Sequence, residues 1–225
     1  MNNQAILKFK ANQLDNLNAI NSFLNKTIGN NSNITSGLGD VRKELESLDK
    51  RSSEFRFVVS GLTMPITGIK RVSKSAKIII DLEYTVILDD WNNEQKDFFK
   101  DYNCHIIIVD GAKKVCWHID RDDKEHKDEH HPLYHLQITH TCGDNIKECS
   151  ALFLDSPRLP FPPLDYSLCI GFCLTNFYKK SIMENQFKQS QALVRAYKES
   201  EQRILNRFYS KEMISDPIYN PMIIL

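Results

Sequence analysis

The chain has 225 residues, 41% of them hydrophobic and 26% charged, which is ordinary for a globular protein and enough for one substantial core. Twenty-nine acidic residues balance twenty-nine basic ones, so no whole-molecule field selects nucleic acid or a charged membrane surface. No apolar run reaches the roughly 18 residues of a bilayer span, no secretory signal opens the chain, and the six cysteines show no CxxC spacing, which together predict a cytoplasmic protein with reduced thiols.

In chain order, Leu7, Leu14, Leu17, Leu24 and Ile28 recur at helical intervals over 5–28, and Gly29-Asn30-Asn31-Ser32-Asn33 stops that helix. A second helix is predicted over 38–50, with Val41, Leu45 and Leu48 on one face. From Glu54 the period drops to two: Phe55, Phe57 and Val59 alternate with polar or smaller residues. From 76 to 88, Ile78, Ile80, Leu82, Tyr84, Val86 and Leu88 oppose Asp81, Glu83 and Thr85. One face of the sheet should therefore be wet or lined with function.

A short helix is expected over 94–102. A β-hairpin follows, with strands at 105–109 and 114–120 joined at Asp110-Gly111, because Asp-Gly supplies the positive φ that tight hairpin turns need. Further strands are predicted at 134–141 and 150–154. The proline-rich passage Ser156-Pro157-Arg158-Leu159-Pro160-Phe161-Pro162-Pro163 lacks ladder donors at four positions and reads as an extended connection. Asp165 can cap an almost wholly apolar helix running to Phe177. A last helix over 181–209 opens on the capping box Ser181–Glu184 and carries Met183, Phe187, Val194, Tyr197, Ile204 and Phe208 on a four-three alternation interrupted by Ser190 and Glu201. That stripe suits packing on the N-terminal helices or the seam of a homodimer.

These elements predict one α+β domain over 1–225, built on an antiparallel meander sheet of about five or six strands with N- and C-terminal helices packed on one face. Its parts are a helical hairpin at 1–50, the sheet at 54–155, helices at 165–210 and a tail at 211–225.

Six of the seven histidines, His118, His126, His130, His131, His135 and His140, fall within twenty-three residues. Imidazole titrates near neutrality and is the commonest metal ligand, so this stretch is where chemistry is expected. His118 and Asp120 project from one face of a strand, and His135 and Gln137 from one face of the next. If the two strands are neighbours, the four side chains converge. His118, Asp120 and His135 are then candidate catalytic acid and base groups, or the two-histidine, one-carboxylate ligands of a divalent metal, and Gln137 is a candidate ligand-binding residue. Arg158, held on stiff backbone, is a candidate clamp for carboxylate or phosphate, or a partner for Asp155 or Asp165.

His126-Lys127-Asp128-Glu129-His130 is similar to the H-x-x-E-H pattern of inverzincin metalloproteases, a resemblance covering five residues. It implies zinc on the two histidines, a glutamate that activates water, and Glu199 or Glu201 as the downstream ligand. The flanking residues 121–131 offer no apolar anchor for such a helix. From His118 to His131 six acidic and three basic residues surround four histidines, a composition that can reorganise on mild acidification. Lys70, Arg71, Lys74 and Lys77, and the eight basic against three acidic residues of 178–211, are candidate phosphate-binding patches. No Walker A loop, dinucleotide-binding glycine motif, GxSxG elbow or paired CxxC ribbon is present.

The function expected from these residues is binding, with hydrolysis, of an anionic or phosphate-containing ligand on the polar sheet face, a divalent metal being the candidate cofactor. The alternative is a non-catalytic interaction subunit docking a protein partner, or a second copy, through the 181–209 helix or the apolar tail 217–225.

Overall fold

In the computed structural model the residues described are 3–28, 32–49, 51–67, 72–91, 96–122, 133–139, 159–180, 184 and 187–208. Helices α1 (Asn3–Ile28) and α2 (Ser32–Ser47) lead into strands β1 (Glu54–Pro65), β2 (Lys77–Ile87), β3 (Phe99–Asp110), β4 (Lys113–Arg121), β5 (Tyr134–Thr139) and β6 (Leu159–Pro160), followed by helices α3 (Tyr166–Phe177) and α4 (Gln191–Phe208). The strands form one sheet in the order β1-β2-β3-β4-β5-β6, antiparallel throughout. The α+β meander read from the sequence is the observed fold. Among the described residues no helix is long and apolar enough to cross a membrane.

The two-residue period decides which side of the sheet each residue takes. Ile78, Ile80, Leu82, Tyr84 and Val86 of β2 are buried beneath the helices, as are Phe55, Phe57 and Val59 of β1 and Tyr102, Cys104 and Ile106 of β3. Aromatic rings tie this face to the helices: Phe57 stacks on Tyr84 at 4.8 Å and on Tyr166 of α3 at 5.6 Å, and Phe9 of α1 meets Trp91 edge-on at 4.9 Å. The Tyr102 hydroxyl donates to Leu164 O at 3.0 Å and accepts from Leu164 N at 2.8 Å, which pins the entry to α3. Asp165 caps that helix as expected, accepting from Leu168 N at 2.9 Å.

Two bulges bend the sheet. Ser60 and Gly61 together oppose Asp81, with Gly61 at φ 65°, and Asp101 and Tyr102 together oppose Tyr84, with Asp101 at φ 52°.

Several elements differ from the sequence reading. The second helix begins at Ser32 rather than 38, because serine and asparagine open helices as readily as they end them. The helix expected over 94–102 is not formed by the described part of that stretch. Phe99 begins β3 instead, since Phe98, Phe99 and Tyr102 bury against Trp91 and Tyr84 and this gain outweighs local propensity.

The hairpin turn sits one residue later than read. Asp110 pairs with Lys113, so Gly111-Ala112 is the two-residue loop, and Gly111 at φ 62° takes the first central position of a type II′ turn. Part of the proline-rich passage forms β6, where Pro160 lies at the sheet edge opposite His135 and needs no ladder donor. The later part of the helix expected over 181–209 is α4 from Gln191, where Ser190 O accepts from Val194 N at 2.9 Å; before it, residues 188–190 form a turn, and Glu184 and Phe187 are π-helical. Its buried stripe is Leu193, Ala196, Ser200, Ile204 and Arg207, and it packs on α1 and α3. Tyr197 lies so close to Gly171 that a side chain there would collide with its ring. The strand expected at 150–154, the Ser181 half of the capping box and the tail 211–225 lie outside the described residues.

On the helix side, next to the Asp120–His135 register pair, Asp97 Oδ2 accepts from Arg121 Nη1 and from the Tyr134 hydroxyl, both at 2.6 Å. Arg121 also donates to Phe99 O. This largely buried knot locks the ends of β4 and β5 together. Removing the Tyr134 hydroxyl deletes a hydrogen bond to a carboxylate, so Tyr134→Phe should lower unfolding free energy by about 1.5–3 kcal/mol. Chemical denaturation of the two proteins checks this.

Candidate functional site

The face of the sheet opposite the helices carries the other half of each strand's alternation. Register places Asp81, His105, His118 and Gln137 in one row across β2 to β5. The neighbouring row holds Glu83, Asn103, Asp120, His135 and, at the edge, Pro160. On the other flank lies an apolar row of Ile79, Ile107 and Cys116. His118 and Asp120, two apart on β4, and His135 and Gln137, two apart on β5, therefore share this face and sit on adjacent strands.

Asp120 is the centre of the group. Its Oδ1 lies 2.7 Å from His135 Nε2, and its Oδ2 lies 3.6 Å from His118 Nε2. Beyond His118, the His105 ring follows at 4.4 Å between centroids, tilted by 51°. His135 is buried, with only 1% of its surface exposed, whereas the His118 and Asp120 side chains keep about a quarter of theirs, at 26% and 28%. The site thus has a buried end and an accessible end. At the far side Asp81 Oδ1 accepts from Gly61 N at 2.7 Å and Ser60 Oγ at 3.2 Å, so the β1 bulge holds that carboxylate in place.

Burial pulls both accessible imidazoles below the ordinary histidine value. For His118 desolvation outweighs the pull of Asp120 and is reinforced by His105 and His135. For His105 desolvation outweighs Asp81 and Asp120. Both rings are neutral at pH 7, each with one donor and one acceptor nitrogen. At 3.6 Å His118 Nε2 makes no hydrogen bond to Asp120, and it is a buried atom with no hydrogen-bond partner among the described residues.

Two imidazoles and a carboxylate raise the question of a metal. A tetrahedral ion bound at about 2.0 Å would keep its donors roughly 3.3 Å apart and pointing at a common centre. His135 Nε2 and Asp120 Oδ1 instead approach each other to 2.7 Å. Among the described residues no group of three histidine, cysteine, aspartate or glutamate side chains is arranged to hold a metal ion. Among the described residues His118, Asp120 and His135 are gathered as a carboxylate between two imidazoles.

His105 was missed by sequence reasoning, although its position was available. A two-residue loop at Gly111-Ala112 sets the β3–β4 register, and counting back from the turn puts His105 opposite His118. Arg158, His126, His130, His131, His140, Lys70, Arg71, Cys142 and Cys149 lie outside the described residues, and with them the H-x-x-E-H pattern and the anion clamp. Cys104, Cys116, Cys169 and Cys173 are free and buried, as expected of reduced thiols, and Cys104 Sγ lies 3.8 Å from Cys169 Sγ.

The lowered values of His105 and His118 fix a sign. Below the unfolded value of 6.5, the unfolded chain takes up protons that the folded site resists, so this contribution to stability is complete above 6.5 and is lost as pH falls toward the folded values. A His105→Gln, His118→Gln double variant should therefore lose less stability than the parent between pH 7 and 5.5, as measured by urea unfolding at each pH. Comparison with known protein families, curated proteins and solved structures finds no match, so the chemistry rests on the geometry of the site itself.

Proposed function

We propose that the face formed by β3, β4 and β5 binds a small polar molecule, and that His118, with Asp120 beside it, exchanges a proton with it. The observation that carries this reading is the placing of Asp120 between a buried imidazole at 2.7 Å and a partly accessible one at 3.6 Å. A neutral, partly exposed imidazole with a carboxylate near enough to stabilise its protonated form is a pairing that general base catalysis uses.

The roles follow from exposure. His135, buried with Nε2 toward Asp120, fixes the carboxylate from behind. Asp120 stabilises the protonated form of His118 once a proton arrives. His118, kept neutral by burial, takes a proton from water or from the bound molecule. Gln137, directly opposite His118 in register, supplies an amide to position that molecule. The reaction class is proton transfer, including the activation of water for hydrolysis. The expected anionic character of the ligand rested on Arg158, which the described residues do not include. The interaction-subunit alternative rested on the tail 217–225, which they do not include either, and on the 181–209 helix, whose described part buries Leu193, Ala196 and Ile204 within this chain.

p-Nitrophenyl acetate, whose cleavage neutral imidazole promotes, is a suitable probe. Wild-type protein should cleave it with a rate that rises with pH through a midpoint below 6.5 and is level above neutrality, following the neutral form of His118. His118→Gln and Asp120→Asn should each be slower by about tenfold or more, toward the modest end of what a positioned base contributes. His118→Gln, folded by circular dichroism and as fast as wild type, would remove the reading.

A further inference from the structure

The row that crosses the open face from β2 to β5 is not symmetrical about its two imidazoles. Register sets Asp81 opposite His105, His105 opposite His118, and His118 opposite Gln137. His105 therefore has a carboxylate on its outer side, and His118 an uncharged amide. That carboxylate is fixed, since Asp81 Oδ1 accepts from Gly61 N at 2.7 Å and from Ser60 Oγ at 3.2 Å. The two ring centroids are 4.4 Å apart. At that separation a proton on one ring makes a second proton on its neighbour costly, so the pair titrates in two steps.

Their surroundings decide which ring comes first. Among the described residues, the titratable groups of this face beside the pair are Asp81 on β2, Cys116 and Asp120 on β4, and His135 on β5. Glu83, two residues on from Asp81, is paired with Arg56. Burial disfavours a charge on both rings. Against that burial, His105 is favoured by two carboxylates, Asp81 and then Asp120. His118 is favoured by Asp120 and opposed by two imidazoles, His105 and His135. The asymmetry of the row and the balance of charges agree.

Resting on the acid–base reading of His118 above, we infer that His105 is a positioning residue for that base: it takes the first proton to reach the pair, and its charge then keeps His118 free. The consequence is a base that stays available in mildly acidic solution, although a carboxylate stands beside it. His105 acts through His118, and Asp81 acts through His105. The bulge at Ser60 and Gly61 thereby gains a role beyond bending the sheet, because it anchors the carboxylate that draws the first proton to His105.

The test follows the imidazole C–H resonances of the full chain by NMR, assigned through the backbone, from pH 8 down to the onset of acid unfolding. In the parent, which needs no variant, the His105 midpoint should lie above that of His118. His105→Gln should raise the His118 midpoint, and the acid limb of p-nitrophenyl acetate cleavage should move up with it. His105→Lys keeps a positive charge at that place, so the His118 midpoint should stay at or below its parent value. A residue that only packs would move His118 the same way in both variants. Asp81→Asn, which keeps an oxygen for Gly61 and Ser60, should lower the His105 midpoint. Three results overturn the inference: His118 takes the first proton in the parent, the glutamine and lysine variants shift His118 alike or not at all, or Asp81→Asn leaves His105 unmoved. Any of these, with His118-dependent cleavage intact, removes the role of His105 and leaves the acid–base reading. Equal cleavage by wild type and His118→Gln, with the midpoints as expected, does the reverse.

Discussion

The parity of the sheet is the constraint from which the rest follows. Every second residue of β1, β2 and β3 is committed to a core of Phe57, Tyr84, Tyr102, Ile106 and their neighbours, beneath helices that bring Phe9 and Tyr166 onto it. Burying one such large side chain is worth about 1.5–3 kcal/mol. A one-residue slip of any strand would expose several of them at once and carry polar groups inward. The residues between them have no such freedom. Asp81, His105, His118, Asp120 and His135 are held on the opposite face because their neighbours in sequence are held on the buried one. The histidine–aspartate array is thus positioned by apolar packing on the other side of the sheet.

That array is costly unless it is used or internally satisfied. A carboxylate with only about a quarter of its side chain exposed loses much of its hydration. His135 Nε2 is its near imidazole neighbour, 2.7 Å from Oδ1. The second oxygen meets His118 at a distance where no hydrogen bond forms, with a buried nitrogen left over. Stability alone would be served better by an asparagine or threonine facing solvent. The knot of Asp97, Arg121 and Tyr134 on the reverse side makes a useful contrast. It has comparable residue types, but Asp97 Oδ2 takes two donors at 2.6 Å and Arg121 is spent on Asp97, Tyr134 and Phe99. The Asp97 cluster is closed around one carboxylate oxygen, and in the Asp120 cluster the 3.6 Å between His118 and Asp120 is not a hydrogen bond.

Much of this was legible in the chain before any coordinates. Alternation from Ile78 to Leu88 is long and regular, so β2 and its wet face were readable. Asp165 before an all-apolar run marked α3, and the two-residue spacings of His118 with Asp120 and His135 with Gln137 marked one face of two strands. What failed did so where a tertiary term competes with a local one. Residues 96–102 look helical by composition, but three aromatics there gain more from the core than from an i, i+4 ladder. The turn at 188–190 that precedes α4 was not legible either, since the apolar spacing of Leu193, Ala196 and Ile204 fixes a helix and not its first residue. The turn was placed one residue early because Asp-Gly was read as both central positions, whereas Gly111 alone needs positive φ. His105 shares a face with His118 with either turn, and the observed loop puts it directly opposite.

The electrostatic character of the face was also beyond local reading, because a histidine-rich stretch looks cationic until its burial is known. Placed in water, His105 and His118 would be partly protonated near neutrality and would favour phosphate. Set side by side at 4.4 Å and partly desolvated, each makes a charge on the other more expensive, and the flanking carboxylates do not overcome the loss of water. The outcome is a pair of neutral rings between Asp81 and Asp120. Burial, which depends on the packing of the whole sheet, therefore sets the protonation of these rings, and the count of histidines in the sequence does not.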